Sequence, residues 1–192
     1  MAASRNYSTR HNILVAAAEA FARSGYDSVN VNDVVVSIGL TKGALYHSFS
    51  SKSGLAREIV NLYSASWTAL IDRLLAEHRN ELEAVVAISY CVAGAFQDDP
   101  ILRAGIRLSS DPSLFHDEAP PYLGRIDRVA GILQAGQRNG YVRVDVDPTS
   151  VAWMLVALFT GAQALPAAIA GERELTQRLD TFWELIRPSL AA

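Results

Sequence analysis

Residues 39 to 55 read G-L-T-K-G-A-L-Y-H-S-F-S-S-K-S-G-L, and this stretch decides how the rest of the chain is understood. Gly39 can take the left-handed backbone that a tight turn between two helices requires, and Thr41 can cap the open amides of the helix that follows. Lys42 then places an ammonium in the first turn. The small Gly43 and Ala44 let the backbone approach phosphates or base edges closely. Leu45 and Phe49 are four apart and share a face that can pack on a preceding helix, leaving Tyr46 and His47 pointing elsewhere as polar donors. Lys52 opens the next helix, where its charge and the free amides can hold a phosphate together. Lys42 and Lys52 are the only lysines in the chain, and they bracket this element.

Outward from it, Ser8 or Thr9 is expected to cap a first helix with Ile13, Leu14, Ala17, Ala20 and Phe21 on its inner face, stopped at Ser24-Gly25. Asn30 or Asn32 caps a second helix through Val31, Val34, Val35 and Ile38. The run Val34-Val35-Val36 has strand propensity, but the flanking caps and the turn at Gly39 assign it to a helix. A long helix from about Lys52 to Arg79 carries Leu55, Ile59, Leu62, Tyr63, Leu70 and Leu74 and links the head to the remainder. Further helices are expected at 81–96, 101–108, 122–138, 148–168 and 172–190, separated by prolines and Gly171. The fold class is therefore all-α. A helix-turn-helix domain is expected over 1–52 and a helical ligand-binding and dimerisation domain over 53–192.

The 192-residue length buries a core without disulfides or metals, and half of the residues are hydrophobic. The lone Cys91 lies among Ile88, Val92 and Phe96 and reads as a core residue in a reducing compartment. The chain opens on no signal-like segment and holds no apolar run of membrane-spanning length, so a soluble, cytoplasmic protein without a membrane partner is expected. A formal net charge of −3 argues against indiscriminate coating of nucleic acid. Up to Lys52, however, Arg5, Arg10, Arg23, Lys42 and Lys52 face only Glu19, Asp27 and Asp33, so positive charge collects at the motif.

The motif resembles the signature of the TetR family of one-component repressors, whose typical form runs Gly-Val-Ser-Lys-Gly-Ala-Leu-Tyr-His-His-Phe followed by a Ser-Lys helix start. The resemblance implies a homodimer reading a palindromic double-stranded operator and releasing it on binding a small molecule, its last two helices pairing with their mates in a four-helix bundle. The family usually has a Thr where Val29 stands; Asn30 is the obvious substitute for that hydroxyl on a phosphate. The second half is similar to the γ-butyrolactone autoregulator receptors and their furan- or butenolide-binding relatives, in R-A-G-I-R-L at 103–108, A-G-Q-R-N-G-Y-V-R-V-D-V-D-P at 135–148, F-T-G-A-Q at 159–163 and F-W-E-L-I-R-P at 182–188. Such receptors often place a Trp shortly after the Pro-Tyr pair, whereas Pro121-Tyr122-Leu123-Gly124-Arg125-Ile126 contains none.

On this reading Lys42 hydrogen-bonds guanine acceptors in the major groove, while Thr41, Gly43, Tyr46, His47 and Lys52 position the helix on phosphates. An effector chamber is expected among Trp67, Tyr90, Phe96, Gln97, Ile126, Gln134, Trp153, Phe159 and Gln163, which offer apolar walls and a few polar hooks suited to a neutral ligand. The alternatives are a sensor of another lipophilic effector, such as a drug or antibiotic, or a ligand-binding protein without operator recognition. Catalysis finds no support: Ser109, Asp111, His116, Asp117 and Glu118 crowd one loop but match no known constellation, and no nucleophile elbow, phosphate loop, His-Glu-x-x-His pair or Cys cluster occurs. The reading calls for no cofactor and no metal. The loop is taken as a polar connection.

Overall fold

The computed structural model describes residues 2–164 and 172–192, with side chains described from Thr9 onward except at Gln97, Gln163, Ala164 and residues 172–174. Among the described residues there are nine helices: α1 (Ala2–Ser24), α2 (Val31–Ser37), α3 (Lys42–Ser48), α4 (Lys52–Glu77), α5 (Glu81–Asp98), α6 (Pro100–Leu108), α7 (Tyr122–Arg138), α8 (Pro148–Ala164) and α9 (Glu172–Leu190). The all-α class expected from the periodicity is what the structure shows. Ser8 and Thr9 lie inside α1, because the helix starts at Ala2 instead of at a capping side chain. The Val34-Val35-Val36 run is helical, as the caps required.

The chain divides into two compact units, one made of residues 1–65 and 99–120, the other of residues 66–98 and 121–192. The first unit thus reaches beyond residue 52 along α4 and takes in α6 with the loop after it. Its core is built by Ile13, Ala17, Ala18 and Phe21 of α1, Val31 and Val35 of α2, Leu45 of α3, Leu55 and Ile59 of α4, and Leu108 of α6. The fully buried members each contribute roughly 1.5–3 kcal/mol of transfer free energy, which offsets the modest helix propensity of the valines. Two guanidinium hydrogen bonds tie α6 to α1: Arg107 Nη1 donates to the carbonyls of Ala22 (3.0 Å) and Arg23 (3.2 Å). They satisfy last-turn acceptors that α1 cannot satisfy itself.

In the second unit α7 packs on both α5 and α8, and α9 packs on α5. Leu82, Val85, Ile88 and Val92 of α5, Val129, Ile132 and Leu133 of α7, and Leu179 and Trp183 of α9 are buried in the unit's apolar interior. The turn after α7 folds back so that the Arg143 amide donates to the Leu190 carbonyl (2.9 Å) and Val142 pairs with Ala191 in an antiparallel bridge. These bonds pin the end of α9. Among the described residues no helix is long and apolar enough to cross a membrane.

Candidate functional site

The α2–α3 corner is fixed by backbone geometry. Gly39 sits at φ +74°, where an L side chain is strained, and the Leu40 amide donates back to the Val35 carbonyl (2.9 Å), closing the end of α2. Thr41 is extended and its Oγ1 accepts from the Ala44 amide at 3.2 Å, so α3 begins at Lys42 with one of its open donors satisfied. Leu45 and Phe49 are buried in the core of the first unit. That burial turns Lys42, Gly43, Tyr46 and His47 outward, and all four are exposed, Tyr46 by 54%. The result is a short anchored helix with a polar outer face, the geometry that major-groove reading requires.

Three neighbouring residues depart in detail from a simple solvated rim. Asn30 caps α2, its Oδ1 accepting from the Asn32 amide at 3.1 Å. Val29, where a hydroxyl is usual, is a buried core residue. Lys52 is half-buried: its Nζ lies 4.6 Å from the centroid of the Tyr26 ring and donates to the Asp27 carbonyl at 3.2 Å. Burial pushes the Tyr26 phenol pKa up, with Asp27 and Asp111 adding to the rise against an opposing hydrogen bond from Ser53.

The loop that crowds polar residues is not a catalytic cluster. Asp111 accepts from the Tyr26 amide, Glu118 pairs with Arg57 at 2.9 Å, Ser109 donates to the Gly105 carbonyl, and His116 meets only Asp117 on the surface among its ion-pair partners. Asp111 and Glu118 are spent on structural bonds to α4 and to the turn after α1. Among the described residues no group of three or more His, Cys, Asp or Glu is placed to hold a metal ion.

In the second unit a small, half-open cavity is lined by Trp67, Val85, Ile88, Ser89, Val129, Leu155, Val156 and Phe159. Among the described residues no ionisable side chain lines it. Ser89 is committed within the protein, donating to the Val86 carbonyl (2.6 Å) and accepting from the Trp183 indole (2.8 Å). The Trp67 indole nitrogen is buried and meets no hydrogen-bond partner among the described residues. Of the side chains expected to form a chamber, Trp67 and Phe159 line this cavity. Ile126 is buried elsewhere on α7, Gln134 is exposed, Trp153 is 59% exposed, and Tyr90 donates its hydroxyl to Asp180 at 2.6 Å. The side chains of Gln97 and Gln163 lie outside the described residues. Ser89 and the aliphatic walls from α5, α7 and α8 escaped the sequence reading, because small and aliphatic residues look alike until helix phase is known.

A capped, outward-facing α3 behind a glycine corner defines a helix-turn-helix DNA-binding regulator. Residues 13–59 match the bacterial regulatory proteins of the tetR family and residues 79–191 match the tetracyclin repressor-like C-terminal domain, so the chain belongs to the TetR family. Its relatives are transcriptional regulators and not enzymes. It is 31% identical over 187 residues to the A-factor receptor protein of Streptomyces griseus, covering 97% of this chain but 65% of that protein, so it spans about two thirds of the relative's length. A crystal structure of a gamma-butyrolactone receptor (ArpA-like protein) superposes with a TM-score of 0.82 at 28% identity, covering 98% of this chain and 90% of that one. CprB from Streptomyces coelicolor, in complex with its biological operator sequence, superposes with a TM-score of 0.81 at 29% identity over 98% of this chain and 90% of that one.

Proposed function

We propose that the protein is a homodimeric, ligand-responsive transcriptional repressor that binds a near-palindromic operator through α3 and releases it when a small neutral effector occupies the cavity of the second unit. Lys42 contacts base edges, and Asn30, Thr41, Gly43, Ala44, Tyr46, His47 and Lys52 set the helix on the duplex through backbone approach and phosphate bonds. A lone α3 reads a few base pairs, and a two-fold mate one DNA turn away doubles the site. Trp153 and Met154 on α8 and Leu185 on α9 are exposed apolar side chains of the kind such a mate covers.

The observation that carries the effector half is the composition of the cavity. Seven of its eight lining side chains are aliphatic or aromatic, and the eighth, Ser89, is already bonded. A charged ligand would lose its hydration there without gaining a partner, so a neutral molecule is favoured. The unpartnered Trp67 indole asks for an acceptor, which a γ-butyrolactone carbonyl or a furan oxygen provides. The likeness to the A-factor and gamma-butyrolactone receptors supports the same class. A different lipophilic effector is the second reading, favoured by the absence of a Trp between Pro121 and Ile126.

Release needs only that the effector prefer the form of the dimer that fits the operator poorly, and operator and effector must then weaken one another by equal factors. The test is binding to a duplex selected by the protein from a randomised pool, at fixed salt, with and without γ-butyrolactones and furans. Loss of binding with a neutral lactone or furan supports the reading. Insensitivity to both classes, with response to another lipophilic compound, moves the effector to the second reading.

A further inference from the structure

The polar loop after α6 is bonded to the turn that holds Lys52. Asp111 Oδ2 accepts from the Tyr26 amide at 3.3 Å, and Ser113 Oγ donates to Asp27 Oδ2 at 2.8 Å. Ser113 in turn gives its amide to Asp111 Oδ1 at 3.0 Å, so the two loop residues act on the 26–27 turn as one unit. That turn grips Lys52 from two sides, with the Tyr26 ring 4.6 Å from Nζ and the Asp27 carbonyl 3.2 Å from it. The loop itself is anchored independently. Arg57 donates to the Leu114 carbonyl and to Glu118, both at 2.9 Å, and lies over the Phe115 ring at 5.1 Å.

A lysine on a four-carbon stem ordinarily samples many rotamers, and ordering it at the moment of contact subtracts from the gain of a phosphate bond. Lys52 is already ordered, by residues that are themselves held from 85 positions away in sequence. We propose that Asp111 and Ser113 are positioning residues for DNA binding: through Tyr26 and Asp27 they hold the Lys52 ammonium where it meets a phosphate. This rests on the reading of Lys52 as a phosphate contact. It gives the crowded loop, which the sequence alone presents as a polar connection, a function.

The test uses the full chain and a duplex selected by the wild-type protein from a randomised pool, with Kd measured from 50 to 200 mM salt. Lys52→Ala is expected to flatten the slope of log Kd on log salt by about 0.9, which makes the loss of affinity across that range roughly three- to four-fold smaller. Asp111→Ala, Ser113→Ala and Tyr26→Leu are expected to flatten it in the same direction, Tyr26→Phe to restore most of what Tyr26→Leu loses, and none of them to add to Lys52→Ala in the double variant. Melting temperatures close to wild type for Ser113→Ala, which removes one surface hydroxyl, separate positioning from folding. If Lys52→Ala flattens the slope and the loop variants leave it unchanged, or their effects add in full to that of Lys52→Ala, the positioning role is wrong. If Lys52→Ala itself leaves the slope intact, the phosphate reading fails first and the proposal falls with it.

Discussion

Gly105 of α6 lies directly against Tyr63 of α4, so close that a Cβ built on the glycine would stand 2.3 Å from the tyrosine Cβ. Neither atom can swing aside, since one would be bonded to the backbone and the other already is. Gly105→Ala must therefore push α6 away from α4 within the first unit. The expected cost is at least 1–3 kcal/mol, roughly the range for overpacked cores, read as a lower melting temperature with the helical content preserved. An unchanged melting temperature would mean that the two helices have slack at this contact.

Ser89 and Trp183 form a buried pair whose bond joins α5 to α9. Ser89→Ala leaves the indole N–H without an acceptor and is expected to cost about 1–3 kcal/mol in chemical denaturation. Combining it with Trp183→Phe removes the orphaned donor along with its partner. The double variant should then lose less than the sum of the two single losses.

Tyr90 offers a test by pH. Its hydrogen bond to Asp180 favours the protonated phenol and pushes its pKa up to about 12, with burial adding to the rise. A pKa raised above the unfolded value of 10 means that the associated stability is fully present below pH 10 and is lost as pH rises toward 12. Tyrosinate absorbance should show the Tyr90 phenol titrating late, as Tyr26 also does, and Asp180→Asn should bring the Tyr90 part of that late titration back toward 10. An unmoved titration in that variant would place the cause elsewhere.

The parts of the molecule legible in the sequence are those whose causes are local. The Gly39 corner, the Thr41 cap and the Leu45–Phe49 spacing all lie within a dozen residues, and the structure reproduces each. The bounds of α7 follow from Pro121 and Gly140 in the same way, whereas α9 runs through Pro188 to Leu190. The cavity was poorly legible because type does not reveal phase. On α5 the wall is Val85, Ile88 and Ser89, three positions on one face, while Tyr90 is one residue further and turned about 100° away. On α8 the wall is Leu155, Val156 and Phe159, and Trp153 falls on the outer face. The bonds from Asp111 and Ser113 to the 26–27 turn span some 85 residues, and no periodicity announces them.

Thr41 separates helix stability from base reading. Thr41→Ala removes the acceptor of the Ala44 amide and should destabilise α3 by about 1 kcal/mol, weakening binding to all sequences through fraying. Thr41→Ser keeps the oxygen and should behave nearly as wild type. Circular dichroism melting and binding on the same samples show whether the two losses track each other.

If α3 reads bases through Lys42, the most direct measurement compares Lys42→Ala with wild type on a selected operator and on a scrambled duplex at one fixed salt concentration. Lys42→Ala is expected to lose about 1–3 kcal/mol on the operator, with relaxed preference at one base pair and a much smaller loss on the scrambled duplex. Equal losses on both duplexes, or no loss on the operator, would contradict base reading through Lys42.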